Sequence, residues 1–296
     1  MGSICSTPAG PPDEQVVESV VCKVSDLEEG TPKQFKLSGD KPCLVVKHRG
    51  QIHAVSDKCT HYGASLCSGA FSDGVVRCPW HGACFNVETG DIEDFPGLDG
   101  LHKFQVEVDS SGEVKVRARK SQLESVKLVK AMSKRDEASA EAVVIIGGGA
   151  AAETCAETLR QDPCAYTGQI TMLTMEPSPP YERIKLSKAL TSTAESLRLR
   201  PQQFYADADI EVRTASQVVN VIPDKNQVEL SDGQMIGFTK LVIASGCMAK
   251  KLDCPGSDLR NVFALRSPAD ANSIAAAAGQ DKHVVVLGTS FIAMEV

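Results

Sequence analysis

The apolar positions change their period along the chain. From Val16 to about Ala118 they come in short runs broken by turn residues. Leu44-Val45-Val46-Lys47-His48, then Arg49-Gly50, then Gln51-Ile52-His53-Ala54-Val55 predict a hairpin. Phe104 to Val108 and Val114 to Arg117 alternate with period two around Ser111-Gly112, which predicts a second hairpin with one buried face. Arg119 to Glu141 is rich in Lys, Glu, Ser and Ala and reads as a partly helical linker. From Ala142 the pattern changes again. Val143-Val144-Ile145-Ile146 is a continuous apolar run, as in a strand buried on both faces. A helical stretch through Leu159 and a strand from Ile170 to Glu176 follow. Val218 to Val221 and Gln227 to Leu230, with Asp232-Gly233, predict a small hairpin layer. Leu241 to Gly246 reads as a strand ending in a small-residue turn, and His283 to Leu287 as a further strand before a helix start. The expected fold is multidomain, an all-β part over 16–118 followed by an α/β part from 142.

Composition narrows the class. No run of eighteen apolar residues exists, so no transmembrane helix is expected. The net charge of −7 and the lack of a basic patch speak against nucleic acid. Eleven cysteines without a secretory signal are expected to be mostly reduced and intracellular. The first residues, Met1-Gly2-Ser3-Ile4-Cys5-Ser6, fit the N-myristoylation pattern on Gly2, with Cys5 as a second acylation candidate. Two lipid signals would give peripheral membrane attachment. Residues 1–15, with Pro8, Pro11 and Pro12, are expected to form a tether.

The candidate chemistry lies at Cys59-Thr60-His61 and, after sixteen intervening residues, at Cys78-Pro79-Trp80-His81. These are two Cys-His pairs on separate short loops, not the Cys-pair-then-His-pair order of a zinc finger. A Rieske [2Fe–2S] cluster uses this donor set, two thiolates on one iron and two imidazoles on the other. A zinc site or a chance grouping of buried residues are the alternatives. Gly63 and Gly82 after the pairs, Pro79, Gly69 and Asp73-Gly74 place both pairs on turns, which weighs against chance.

The stretch 16–118 resembles the Rieske family. That resemblance implies Cys59, His61, Cys78 and His81 as cluster ligands. High-potential members carry a loop-bridging disulfide at the positions of Ala64 and Trp80 and hydroxyls at those of Ala83 and Phe85. Fewer hydrogen bonds to sulfur lower the potential, so a ferredoxin-like centre near ~−150 mV is expected rather than one near ~+300 mV. His48, His53 and His102 are read as surface or packing residues.

In the second part, Gly147-Gly148-Gly149-Ala150-Ala151-Ala152 places G-x-G-x-x-A at the first turn of a βαβ unit. Gly147 allows the tight turn, Gly149 lets a pyrophosphate approach the backbone, and Ala152 lets helix and strand pack closely. The helix N-terminus offers free N–H groups to the phosphates. Glu176 is placed to accept from a ribose hydroxyl.

Pro180-Tyr181-Glu182-Arg183 through Leu186-Ser187-Lys188, with Ala244-Ser245-Gly246, makes residues 141–296 resemble flavoproteins with two dinucleotide-binding domains, of the apoptosis-inducing-factor and oxygenase ferredoxin-reductase type. The resemblance implies FAD contacts at Arg183, Lys188, Val218, Ala244, Ser245 and Gly246. It also implies an NAD(P)H turn at Gly288 and Ser290, with Glu295 near the nicotinamide. Residues 142–262 are then the FAD-binding part, and 263–296 the start of an NAD(P)-binding part that stops early, as in a truncated product or partial sequence. The disulfide-reducing branch of these flavoproteins has C-x₄-C on the helix near the flavin. Here that helix has Cys155, followed by Ala156 and Glu157, so a packing cysteine is expected.

The expected activity is electron transfer from NAD(P)H through FAD to the cluster and an unidentified acceptor protein. A Rieske oxygenase would need a mononuclear iron triad, and toward the C-terminus from the cluster motif only His102 and His283 remain. A non-catalytic, cluster-bearing signalling role is the other reading. Mitochondrial and apoptotic associations are implied by the family resemblance alone.

Overall fold

The computed structural model describes residues 15–296. The acylation candidates Gly2 and Cys5, and the proposed tether but for Gln15, lie outside the described residues. The chain divides into two compact units, with the boundary along the chain between Lys130 and Ala131.

In the first unit the strands are β1 (Val16–Lys23), β2 (Lys33–Leu37), β3 (Lys41–His48), β4 (Gln51–Ser56), β5 (Ala70–Ser72), β6 (Val75–Arg77), β7 (Cys84–Asn86), β8 (Ile92–Asp94), β9 (Lys103–Val108) and β10 (Glu113–Arg119). They form a six-stranded antiparallel sheet, ordered β1-β10-β9-β4-β3-β2, and a four-stranded one, β5-β6-β7-β8. The β3–β4 hairpin turns through Arg49 and Gly50, both at positive φ (51° and 76°), with His48 opposite Gln51. Positive φ at both turn residues matches the right-handed twist of the strands.

Two cores lie on opposite faces of β3 and β4. Cys43, Val45 and Ala54 pack with Phe104, Val114 and Val116. Leu44, Val46 and Val55 pack with Leu66, Val76, Phe85 and the candidate ligands Cys59 and Cys78. β3 is therefore buried on both sides, while β9 and β10 show the one-sided alternation read from the sequence.

The stretch 119–141, expected as a linker, carries more structure than its composition suggests. It includes the last residue of β10 and a short helix, α1 (Lys120–Glu124). Leu128 exchanges backbone hydrogen bonds with Gly100 in the first unit, and Ser133 donates to the Arg160 carbonyl in the second. Polar composition hid these bonds because the backbone makes them.

The second unit is layered. β11 (Ala142–Ile146), α2 (Ala150–Arg160), β12 (Gln169–Leu173), α3 (Gln202–Asp207) and β13 (Ile210–Arg213) are followed by β14 (Val218–Ile222), β15 (Gln227–Leu230), β16 (Met235–Gly237) and β17 (Lys240–Ile243), then α4 (Pro268–Ala277) and α5 (Phe291–Glu295). The parallel sheet is ordered β13-β12-β11-β17, and the antiparallel layer is β14-β15-β16. Val143 and Ile145 face Ala152 and Ala156 of α2. Val144 faces Val228 and Leu230 of the antiparallel layer. Cover on both sides explains the unbroken apolar run of β11.

One expected strand does not form. His283 to Leu287 lies outside any sheet, and Val284 to Leu287 are exposed. A strand needs a neighbour for its N–H and C=O groups, and among the described residues this segment pairs with none.

Candidate cluster and dinucleotide sites

The two Cys-His loops are built alike. Cys59 N–H donates to the Ala64 carbonyl and Gly63 N–H to the Cys59 carbonyl, both at 2.8 Å. Cys78 N–H donates to the Ala83 carbonyl at 2.8 Å and Gly82 N–H to the Cys78 carbonyl at 3.1 Å. Each loop closes through a glycine at positive φ, 78° at Gly63 and 81° at Gly82. Both cysteines are buried, whereas His61 is half-buried and His81 exposed. Burial pushes the Cys59 thiol up, and hydrogen bonding with Cys78 adds to the shift. The imidazoles of His61 and His81 meet edge to face at 4.9 Å, with Tyr62 stacked on His61 at 3.8 Å. Thiol lies beside thiol and imidazole beside imidazole, which fits a cluster with one iron held by sulfur and the other by nitrogen. Cys59, His61, Cys78 and His81 would hold it, and it would supply one-electron transfer.

The bases of the loops are closed differently. The second is the turn of a β6–β7 ladder, with Arg77 opposite Cys84. The first is clasped by the buried Asp57, whose carboxylate accepts from Cys67 N–H at 2.9 Å, from Ser65 Oγ at 2.7 Å and from the Gln34 amide. Its carbonyl accepts from Leu66 N–H at 2.8 Å. Sequence reasoning missed Asp57; the signal was a carboxylate two residues before a ligand. Thr60 Oγ1 donates to the Asp99 carbonyl at 2.7 Å, tying the 97–99 segment to the same loop. Ala64, Ala83 and Phe85 are buried and bring no hydroxyl, and Trp80 points out, 62 % exposed. Burial pushes up the thiols of Cys67 and Cys84, consistent with packing roles.

In the second unit the glycine turn lies at the C-terminal ends of β11 and β17. A Cβ on Gly147 (φ 144°) would fall 2.1 Å from the Ala244 carbonyl oxygen, and one on Gly148 2.3 Å from Thr174 Oγ1. Gly147 is thus needed for the approach of the Ala244 turn, and Gly148 is a close-packing position the motif did not flag. A Cβ on Gly149 would meet nothing within 4 Å. Gly149 is the N-cap of α2, and no side chain caps the first N–H groups of the helix. Such a cradle fits a pyrophosphate. Ala152 is fully buried against the sheet.

Glu176 lies beyond β12, where Arg183 and Tyr181 both bind its carboxylate. Gly147, Gly149, Ala152 and Ala244 cluster at the cradle. Val218 begins the antiparallel layer. Ser245 and Gly246 (φ 67°) continue the Ala244 turn, with the Arg266 guanidinium 3.4 Å from where a Gly246 Cβ would lie. Lys188 Nζ lies 2.8 Å from both carboxylate oxygens of Glu295, and Ser187 Oγ donates to the same carboxylate at 2.5 Å. The lysine expected at FAD and the glutamate expected at nicotinamide therefore meet, and these bonds hold the Glu295 carboxyl below its ordinary range. Gly288 (φ 125°) and Ser290 precede the five-residue α5. Gly147, Gly149, Glu176, Arg183 and Lys188 would hold the flavin dinucleotide, which would convert two-electron hydride chemistry to one-electron transfer.

Burial pushes the Cys155 thiol up, and its side chain packs against the α2 core. A larger feature of α2 went unread. Arg160, fully buried, donates to the carbonyls of Tyr166, Gly168, Ala208 and Asp209. The buried Arg200 pairs with Glu157 at 2.7 and 2.8 Å.

The chain belongs to the pyridine nucleotide-disulphide oxidoreductase family, whose model matches residues 141–296, and a Rieske [2Fe-2S] domain model matches residues 17–105. Over 98% of its length it is 45% identical to human apoptosis-inducing factor 3, covering 48% of that protein. Its identity to the mouse protein of that name is 44%, over 97% of this chain and 47% of the relative. With Rubredoxin-NAD(+) reductase of Pseudomonas putida it shares 40% identity over 52% of this chain and 40% of the relative. The chain thus spans about half the length, or less, of these curated relatives. These matches bear out the two-module resemblance read from the motifs. No helix among the described residues is long and apolar enough to cross a membrane.

Proposed function

We propose that this chain is part of an NAD(P)H-dependent oxidoreductase that passes electrons through FAD to a low-potential Rieske cluster and on to a redox partner protein. The carrying observation is the coexistence, on one chain, of the like-with-like Cys59/Cys78 and His61/His81 donor set and the Gly147–Gly149 cradle. A flavin accepts hydride, and a Rieske cluster takes one electron at a time. One chain carrying both makes the transfer intramolecular. The relative named Rubredoxin-NAD(+) reductase supports the direction of flow. The exposed Trp80, beside His81, gives an apolar contact for the acceptor.

The test is the visible spectrum of the reconstituted chain, followed by anaerobic addition of NADH. Rieske and flavin bands, with both bleaching, support the reading. Flavin bleaching without cluster reduction overturns it.

A further inference from the structure

The backbone of Glu176 is tied on both sides. Its N–H donates to Thr174 Oγ1 at 3.2 Å, and its carbonyl accepts from Ala215 N–H at 2.8 Å. What remains to be fixed is the direction of its carboxylate. Tyr181 Oη donates to Oε2 at 2.6 Å, and the Arg183 guanidinium binds Oε1. Arg183 also donates to Tyr181 Oη and lies over the tyrosine ring, 4.6 Å from its centroid. A guanidinium has only donors, so the tyrosine hydroxyl must accept from Arg183 and give its own proton to Glu176. Burial pushes the Tyr181 hydroxyl up, and the neighbouring carboxylate adds to this, so it stays protonated and able to donate.

The two partners differ in burial. Tyr181 is 2 % exposed, packed with Leu186, Leu197 and Ala271. Arg183 has a longer, partly exposed side chain. An ionised carboxylate offers about four lone-pair sites. Tyr181 and Arg183 use two, and two are left for a cis-diol.

We propose that Tyr181 is a positioning residue for the dinucleotide site: its hydroxyl aims the Glu176 carboxylate so that the free lone pairs accept from the two ribose hydroxyls of an adenosine group. This rests on the FAD reading and extends it to a residue that acts through Glu176. Tyr181→Phe keeps the ring packing and removes only the hydroxyl.

The test uses the full chain and a double-mutant cycle, with FAD affinity read by quenching of flavin fluorescence. Tyr181→Phe is expected to weaken FAD by about tenfold, the scale of one hydrogen bond to a charged group. In a Glu176→Gln background the same change is expected to cost under about threefold, because the carboxylate it aims is gone. A second readout is the preference for ADP over 2′-deoxy-ADP, which Tyr181→Phe should reduce and a general loss of packing should not. If wild type binds FAD and Tyr181→Phe binds it equally well, or the loss is the same in both backgrounds, the positioning role is wrong while the FAD reading stands. If wild type binds no FAD, the FAD reading itself fails. Thermal melts of the four proteins check that all are folded.

Discussion

The buried carboxylate of Asp57 accepts a hydrogen bond from the backbone N–H of Cys67 at 2.9 Å, across the base of the loop that carries Cys59 and His61. Asp57→Ala would leave that N–H and the Ser65 hydroxyl without this acceptor, and the Gln34 amide with Ser65 Oγ at 3.3 Å in its place. An unmade buried hydrogen bond costs about 1–3 kcal/mol, and here the cost falls on the geometry of two ligands. The expected result is a lower melting temperature and a loss of iron and sulfide per chain, with Asp57→Asn, which keeps one acceptor oxygen, intermediate. Full iron content in Asp57→Ala would rule out this clasp.

The glycine turn separates folding from binding. Gly147→Ala forces a Cβ to within 2.1 Å of the Ala244 carbonyl at a φ of 144°. Strain of this kind costs about 1–3 kcal/mol, so the expected outcome is a clear drop in stability. Gly149→Ala places its Cβ in open space at an ordinary φ of −106°. It should melt within about 1 kcal/mol of wild type yet lose most FAD affinity, because the methyl fills the room a pyrophosphate would use. Melting and flavin titration of both variants check this, and equal FAD binding by Gly149→Ala would contradict it.

The cluster ligands were legible because each loop is local. Gly63 and Gly82 close turns within four residues of their cysteines, and those bonds are made inside the motif. Asp57 was not legible as a clasp, since one of its partners, Gln34, is 23 residues earlier. Arg160 reads in sequence as a basic residue in the last turn of a helix, but its partners reach to Asp209. Val284 to Leu287 has the composition of a buried parallel strand. Strand formation depends on neighbours, and local composition does not show whether those are in place. The β11 run succeeded because β12 and β17 flank it.

The buried end of α2 predicts a pH dependence. Burial pushes the Glu153 carboxyl up to about 8 from an ordinary 4.5, and the nearby Glu157 adds to this although Tyr205 Oη donates to Glu153 at 2.8 Å. Between these two values the folded chain holds a proton that the unfolded chain has released. The stability this contributes is complete below about 4.5 and is lost as pH rises through about 8. Glu153→Gln cannot ionise and still accepts from Tyr205. The expected outcome in a pH series of thermal melts is a steeper decline toward pH 8 for wild type than for Glu153→Gln. Parallel curves would show that Glu153 is not the titrating group.

The cluster should sit at the reducing end of the Rieske range, and the side chains around it say why. Ala83 and Phe85 are fully buried beside Cys78 and Cys84, and neither carries a hydroxyl. Hydrogen bonds to cluster sulfur stabilise the reduced, more negative state, so their absence lowers the potential. A midpoint near ~−150 mV is expected for the reconstituted protein. Ala83→Ser adds a hydroxyl with little added volume, and Phe85→Tyr adds one at the far end of a ring. Each should raise the midpoint, at a packing cost on the order of 1–3 kcal/mol, and the pair should raise it further. Spectroelectrochemical titration of wild type and the three variants measures this. A wild-type midpoint well above zero would mean that other groups, such as main-chain N–H bonds of the two loops, set the potential. A cluster that low in potential can pass its electron to weakly oxidising partners, which is the property required of a ferredoxin-like carrier and not of a high-potential one.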